Sequence, residues 1–312
     1  MPDTLDEHYG RVVTALMEGR VIPFFGAGVN LCGRRPGEPW RHGCEFLPSG
    51  IELAKHLAAR FRYPWDDRHD LVRVSQYAAI MEGLGPLYLE LRRLFNADYA
   101  PTPLHRFFAA LPATLREKGL SPGHQFVLTT NYDDLMERAF DEAGESYDLV
   151  AYVAEDKQQR GRFLHRPPGG EAIPITRPNK YINLSLSQRS VILKIHGAID
   201  RKNAEQDSFV ITEDNYIEYL TRTDISRLIP VTLVAKMKTS HFLFLGYSLR
   251  DWNLRVILHR MWGAQNLSWK SWAIQLNPHR LDEEFWRKRD VDIFDVPLED
   301  YIAELNERVR SL

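Results

Sequence analysis

Seven short apolar runs, each about the length of a β-strand and mostly apolar at consecutive rather than alternate positions, constrain this chain more than any other feature. They are Arg20 to Phe25, Gln125 to Thr129, Tyr147 to Val153, Val191 to Ile195, His241 to Leu245, Ser271 to Leu276 and Val291 to Val296. A helical pattern from Leu298 to Val309 follows the last of them. A strand that is apolar on both faces has to be covered on both sides, and a largely parallel sheet between helices does this. The spacing predicts an α/β fold with a Rossmann-like parallel sheet and helices on both faces. With 312 residues, 44% of them hydrophobic, the chain has the material for one such domain, 1–312, carrying an inserted module.

About a hundred residues separate the first two runs, far more than one crossover needs. Within them Ile51 to Phe61, Leu71 to Glu82, Pro86 to Phe95 and Pro103 to Leu111 place apolar side chains at helical intervals, so an inserted helical layer is expected over about 51–120. From Asp156 to Asn179 the chain carries Arg160, Arg162, Arg166 and Arg177, three prolines at 167, 168 and 178, and the pair Gly169 and Gly170. This predicts a long exposed basic loop over about 155–190, of the kind used as a lid or a partner-binding segment.

Lys and Arg number 40 against 42 Asp and Glu, a formal charge of −2, so no overall field draws the molecule to nucleic acid or to an anionic membrane. The two cysteines, Cys32 and Cys44, are too few for a disulfide framework or a four-cysteine zinc module, and adding His42 matches no common ligand spacing; no metal is expected. The first residues are acidic where a secretion signal is basic and then apolar, and no run approaches about 18 apolar residues. The expectation is a cytoplasmic chain with no membrane span.

Four strand ends carry chemistry. Residues 21–30 run from an apolar strand into Gly26, Ala27 and Gly28, where the lack of a Cβ lets backbone N–H groups approach a phosphate. The spacing is not that of the usual dinucleotide fingerprint, and there is no P-loop lysine. At 126–134 a buried strand ends in Thr129, Thr130, Asn131, Tyr132 and Asp133, with Asp133 expected to cap the next helix. Capping needs only one of these polar groups. The amide of Asn131 offers a donor and an acceptor, suited to orienting a water or a ribose hydroxyl. At 191–197 a strand ends in His196 and Gly197, and a neutral imidazole there can accept a proton near physiological pH. At 241–251 a strand ends in Gly246, Tyr247 and Ser248 before a helix expected over Asp251 to Trp262. Taken alone, the first motif is more often an ordinary strand-end turn, the fourth is equally a capped turn, and a lone histidine is more often structural.

In order and spacing the four motifs resemble the signature of the sirtuin (SIR2) superfamily, and in particular the bacterial SIR2-like domains of antiphage defence systems. The resemblance runs from about residue 10 to 305. It implies an NAD-binding Rossmann-like domain with Gly26, Ala27 and Gly28 along the pyrophosphate and Asn30 where deacetylating sirtuins usually carry serine. It implies that Asn131 and His196 are catalytic, that Asn30, Thr130 and Asp133 belong to the NAD-binding residues with Asp133 ordering the Asn131 loop, and that Gly246 and Ser248 meet the adenosine side. Deacetylating sirtuins usually carry a four-cysteine zinc module and tend to read Gly-Thr-Ser in the fourth motif; this chain has neither, which favours an NAD-cleaving branch.

What the resemblance implies is an NAD+ hydrolase that releases nicotinamide from ADP-ribose, with NAD as substrate, acting as an abortive-infection effector. An NAD-dependent protein deacylase and a non-catalytic NAD or ADP-ribose sensor are the alternatives. Regulation would come from homo-oligomerisation or from a partner, a HerA-type hexameric ATPase ahead of an Argonaute protein. Direct nucleic-acid binding is not expected.

Overall fold

The computed structural model describes residues 4–35, 37–120, 123–156, 158–221, 227–247 and 269–312, with the isolated positions 255, 256, 258 and 260. Ser248 lies outside these described residues, as does most of the helix expected over Asp251 to Trp262. The strands are β1 (Val21–Phe25), β2 (Phe126–Thr129), β3 (Tyr147–Tyr152), β4 (Phe163–Arg166), β5 (Ile173–Pro174), β6 (Ser190–Lys194), β7 (Gly197–Ala198), β8 (Ser208–Phe209), β9 (His241–Leu245), β10 (Ser271–Ile274) and β11 (Val291–Phe294). Nine of them form one sheet in the order β11-β10-β9-β1-β2-β6-β3-β4-β5, and β7 and β8 form a hairpin of their own.

From β11 to β3 every neighbouring pair is parallel. After β1 the chain builds β2, β3 and β6 on one side, then crosses to lay β9, β10 and β11 on the other. The carboxyl ends of β1 and β9 are therefore a topological switch point, where sheets of this kind gather ligands.

Two apolar layers account for the apolar runs. One face of the sheet presents Phe24, Leu128, Leu193 and Phe244 to a core that includes Tyr219, Leu233 and Trp286. These belong to the helices α7 (Glu213–Thr221), α8 (Val231–Lys238) and Arg280–Arg287. The other face presents Phe25, Val127, Ile192 and Leu245 to Val12, Phe108, Phe140 and Tyr301, from α1 (Leu5–Met17), α5 (Pro103–Glu117), α6 (Leu135–Ala143) and the closing helix Leu298–Arg310. The α/β architecture with helices on both faces is the one the apolar runs imply.

A third core joins α2 (Gly50–Arg60), α3 (Leu71–Met81) and α4 (Leu84–Phe95). Its Leu57, Val74 and Leu91 pack with Tyr132, Leu135, Ile199 and Phe209, so this helical layer roofs the loops that follow β2 and β6. α5, from the same stretch of sequence, instead lies on the sheet.

The expected exposed basic loop over 155–190 is corrected by β4 and β5, which extend the sheet, β4 antiparallel to β3 and β5 antiparallel to β4. In β4 burial alternates, with Phe163 and His165 inside and Leu164 and Arg166 half-buried. His165 Nε2 lies 2.9 Å from Asp148 Oδ1, and its Nδ1 lies 2.7 Å from the Tyr181 hydroxyl. Arg160 pairs with Glu155 and Glu218, and Arg166 with Asp200. Those charges are tied within the chain.

Candidate functional site

The site begins where β1 and β9 end side by side. The Gly26 N–H donates to Leu245 O at 3.0 Å and the Gly28 N–H to Gly246 O at 2.9 Å, carrying strand pairing past the end of the sheet. Gly246 has φ +71°, and a Cβ there would stand 2.3 Å from the Val29 nitrogen. A Cβ on Gly26 or Gly28 would stand 2.7 Å from Gly246 O. The chain's own close approach thus demands these glycines, whatever ligand they meet. Ala27–Leu31 forms a single 3₁₀ stretch immediately after β1.

The loop after β2 is bound tightly to that crossing. Asn131 is buried; its N–H donates to Thr129 Oγ1 at 2.9 Å and its Nδ2 to Gly26 O at 3.2 Å. Asn30 Nδ2 donates to Asp133 Oδ2 at 2.9 Å, and Asp133 Oδ1 accepts the Leu135 N–H at 3.1 Å. Asn30 Oδ1 is buried without a hydrogen-bond partner. The cap position of α6 falls on Asp134, so Asp133 is not the cap that its place in the sequence suggests; it fastens the loop to Asn30 and to the first turn of α6. Thr130 Oγ1 lies 2.5 Å from the Tyr247 hydroxyl.

His196 occupies the matching place on the next strand. Thr129 pairs with Lys194, so Asn131 and His196 stand two residues past the same register on adjacent parallel strands. The imidazole is buried edge-on against Tyr216 and Tyr219, with ring centroids at 5.4 and 5.7 Å, and its Nε2 has no hydrogen-bond partner. Gly197 follows with φ +91° and lies so close against the paired β8 that a Cβ would stand 2.1 Å from Ser208 O.

Burial pushes the His196 pKa down to about 3, and that of His105, capped against Thr102 beneath the 3₁₀ stretch, to about 4. Both rings are neutral at physiological pH. Because both folded pKa values lie below the ordinary value of about 6.5, the unfolded chain takes up protons first as the medium is acidified. Their stabilisation is complete above about pH 6.5 and is lost towards pH 4 to 3, at about 1.4 kcal/mol per pH unit for each ring. Urea midpoints at pH 7.5 and pH 5 should fall accordingly, and His196→Gln should remove one proton from the slope. Equal slopes in the two proteins would contradict the shift.

A cleft of about 520 Å³ opens at the carboxyl ends of β1, β9, β10 and β11. Gly28, Gly246, Tyr247, Leu276, Asn277 and Glu299 are among its lining residues, and neither Asn131 nor His196 is. Tyr247 links the two regions. It lines the cleft, packs edge-on against Phe24 at 5.0 Å and reaches Thr130 through its hydroxyl. Sequence reading missed the far wall of this cleft. Asn277 carried one signal, an asparagine just past a strand, and it adopts φ +47°. Glu299 sits in the first turn of the closing helix and carried none.

A SIR2-like domain model matches residues 125–294, more than half of the 312 residues. The chain belongs to the SIR2-like family. Among relatives, it is 28% identical over 258 residues to the NAD(+) hydrolase ThsA of Acinetobacter baumannii, which covers 80% of this chain and 41% of that protein. Against the NAD(+) hydrolase ThsA of Enterococcus faecium the identity is 27% over 250 residues, covering 80% of this chain and 41% of that one. With Defense-associated sirtuin 2 of Bacillus subtilis it is 24% over 267 residues, covering 85% of this chain and 22% of that protein. The chain thus spans well under half the length of these relatives. The SIR2-like match takes in the motifs at Asn131, His196 and Gly246; the stretch Gly26 to Asn30 precedes it and is bonded to it through Gly246 and Asp133. Among the described residues no group of three or more His, Cys, Asp or Glu side chains could hold a metal ion, and no helix is long and apolar enough to cross a membrane.

Proposed function

We propose that this SIR2-like chain hydrolyses NAD+ at the bond between nicotinamide and ribose, in the cytoplasm, as an effector of antiphage defence. The observation that carries this reading is the buried, unpartnered Nε2 of His196, two residues past a register it shares with Asn131. A structural histidine closed into a core normally has both ring nitrogens satisfied, and an orphaned one fits a group that meets a substrate hydroxyl or water. Asn30 Oδ1 is a second orphaned acceptor at the same strand ends.

The adenosine half of the substrate would lie in the cleft between Gly28, Gly246 and Asn277, with the pyrophosphate along Gly26, Ala27 and Gly28 and with Ser248 on the adenosine side. Tyr247 then turns aside as the nicotinamide ribose passes towards Asn131. The leaving group is a pyridinium, so little acid help is needed. Water adds to C1′ of the ribose, the C1′–N bond breaks, its electron pair neutralises the pyridinium nitrogen, and the water's proton passes to His196. Asn131 orients the water or a ribose hydroxyl, while Thr130 and Asp133 hold its loop. A ring with a pKa near 3 is a weak base in the closed site, and contact with substrate hydroxyls and incoming water raises its basicity by restoring solvation. An idle state of this kind suits an enzyme that would otherwise deplete its host, and activation by self-assembly, by a hexameric HerA-type ATPase or by an Argonaute protein completes the reading.

The test is incubation with NAD+ alone, with an acetylated peptide, and at several protein concentrations, followed by chromatography of nicotinamide and ADP-ribose. Release without peptide supports hydrolysis. Release only with peptide indicates a deacylase, and tight binding without release indicates a sensor.

A further inference from the structure

Lys194 ends β6 directly after the apolar run Val191, Ile192 and Leu193 and is 1% exposed. Its Nζ lies 2.5 Å from Glu137 Oε1 on α6 and also donates to the backbone carbonyl of Asp133. A fully buried lysine is among the costliest side chains a core can hold, and an apolar residue of similar volume is often as stable or more so. The ion pair here is not even complete, because Glu137 Oε2 is buried without a partner and burial pushes the carboxyl above its ordinary pKa. Stability alone therefore does not account for an ammonium at this place.

Its geometry does. Asp133 is fastened at three points: one carboxylate oxygen accepts from Asn30, the other from the Leu135 N–H, and its main-chain carbonyl accepts from Lys194. Asn131 lies two residues before that carbonyl, and His196 lies two residues after Lys194 on the same chain segment. One side chain thus ties the loop that carries the amide to the strand that carries the imidazole. Resting on the hydrolase reading above, we infer that Lys194 is a positioning residue that sets the separation of Asn131 and His196, with Glu137 holding its ammonium over the Asp133 carbonyl.

The experiment compares Lys194→Met with the double variant Lys194→Met/Glu137→Gln, which removes the buried carboxylate together with its counter-ion. A misplacement of about 1 Å in a reacting group can cost about 10²-fold, so kcat in Lys194→Met should fall by roughly 10 to 100-fold with KM changed less than about twofold. The double variant should regain most of the wild-type melting temperature and keep the low kcat. Recovery of kcat together with melting temperature would reduce Lys194 to a counter-ion for Glu137 and overturn the inference, as would a fully active Lys194→Met. Amide hydrogen exchange reads the same tether without any turnover. The Asn131 and Leu135 N–H groups, bonded to Thr129 Oγ1 and Asp133 Oδ1, should exchange about tenfold faster or more in both variants. Unchanged exchange in the double variant overturns the positioning role even if the wild-type protein releases no nicotinamide, an outcome that would instead count against the hydrolase reading.

Discussion

Asn131→Ala and His196→Gln should each lower nicotinamide release by about 10² to 10⁴-fold while leaving a folded protein, the range expected when a water-orienting group or a general base is removed. Neither change opens a large void. Asn131 gives up one side-chain hydrogen bond, to Gly26 O, and glutamine keeps most of the volume between Tyr216 and Tyr219. If the two side chains act on one water, the double variant should be little worse than the poorer single one, because residues that work as a unit are strongly non-additive. Steady-state rates and melting temperatures measured on the same samples decide the matter. A variant that melts as the wild type does and turns over as fast removes its residue from the mechanism. His196→Gln should also abolish any fall in rate on the acid side that tracks the imidazole, whereas Asn131→Ala should leave that profile in place at lower amplitude.

The parts of the fold that are legible in the sequence are those where burial acts on both faces of a strand. Ile22 and Phe24 face one core and Val21 and Phe25 the other, so the run from Val21 to Phe25 is apolar without interruption. β4 escapes the same reading because only Phe163 and His165 turn inward, and two alternate positions among arginines and prolines make no visible period. The polar excess after Thr129 is legible in the sequence, since one cap does not need Thr130, Asn131 and Asp133 together, yet the cap itself falls one residue later than the sequence suggests. Lys194 was invisible because it ends an apolar strand whose other residues are core, and only the side chain's reach to Glu137 and the Asp133 carbonyl gives it a role. The glycines were legible as glycines and read as making room for phosphate. The structure adds a cause that no single motif contains, the approach of Gly28 to Gly246 across more than two hundred residues of chain.

That approach makes Gly246→Ala a strongly damaging small substitution. The new Cβ would meet Val29 N at 2.3 Å and Gly28 C at 2.7 Å, both backbone atoms of the neighbouring strand end that cannot rotate away, and the φ of +71° is itself unfavourable for alanine. A left-handed alanine costs about 1 to 2 kcal/mol, and forcing strands apart at a packed crossing costs typically about 1 to 3 kcal/mol more. The sum is roughly 2 to 5 kcal/mol, a drop in melting temperature on the order of 3 to 10 °C for a chain of this size. Gly10→Ala is the matched control. Gly10 lies within α1, is exposed, and has nothing within 4 Å of the added Cβ, so the same methyl group should stabilise by about 0.5 to 1 kcal/mol through helix propensity. The two substitutions should therefore move the melting temperature in opposite directions, and calorimetry on both would show it. The larger consequence of Gly246→Ala falls on the site. The strand end that must retreat from the new methyl carries Gly26, whose carbonyl holds the Asn131 amide, and Asn30, which holds Asp133. Residual activity in whatever fraction stays folded should then be lower than the melting temperature alone accounts for, and a folded, fully active Gly246→Ala protein would mean that the β1–β9 crossing does not position the Asn131 loop.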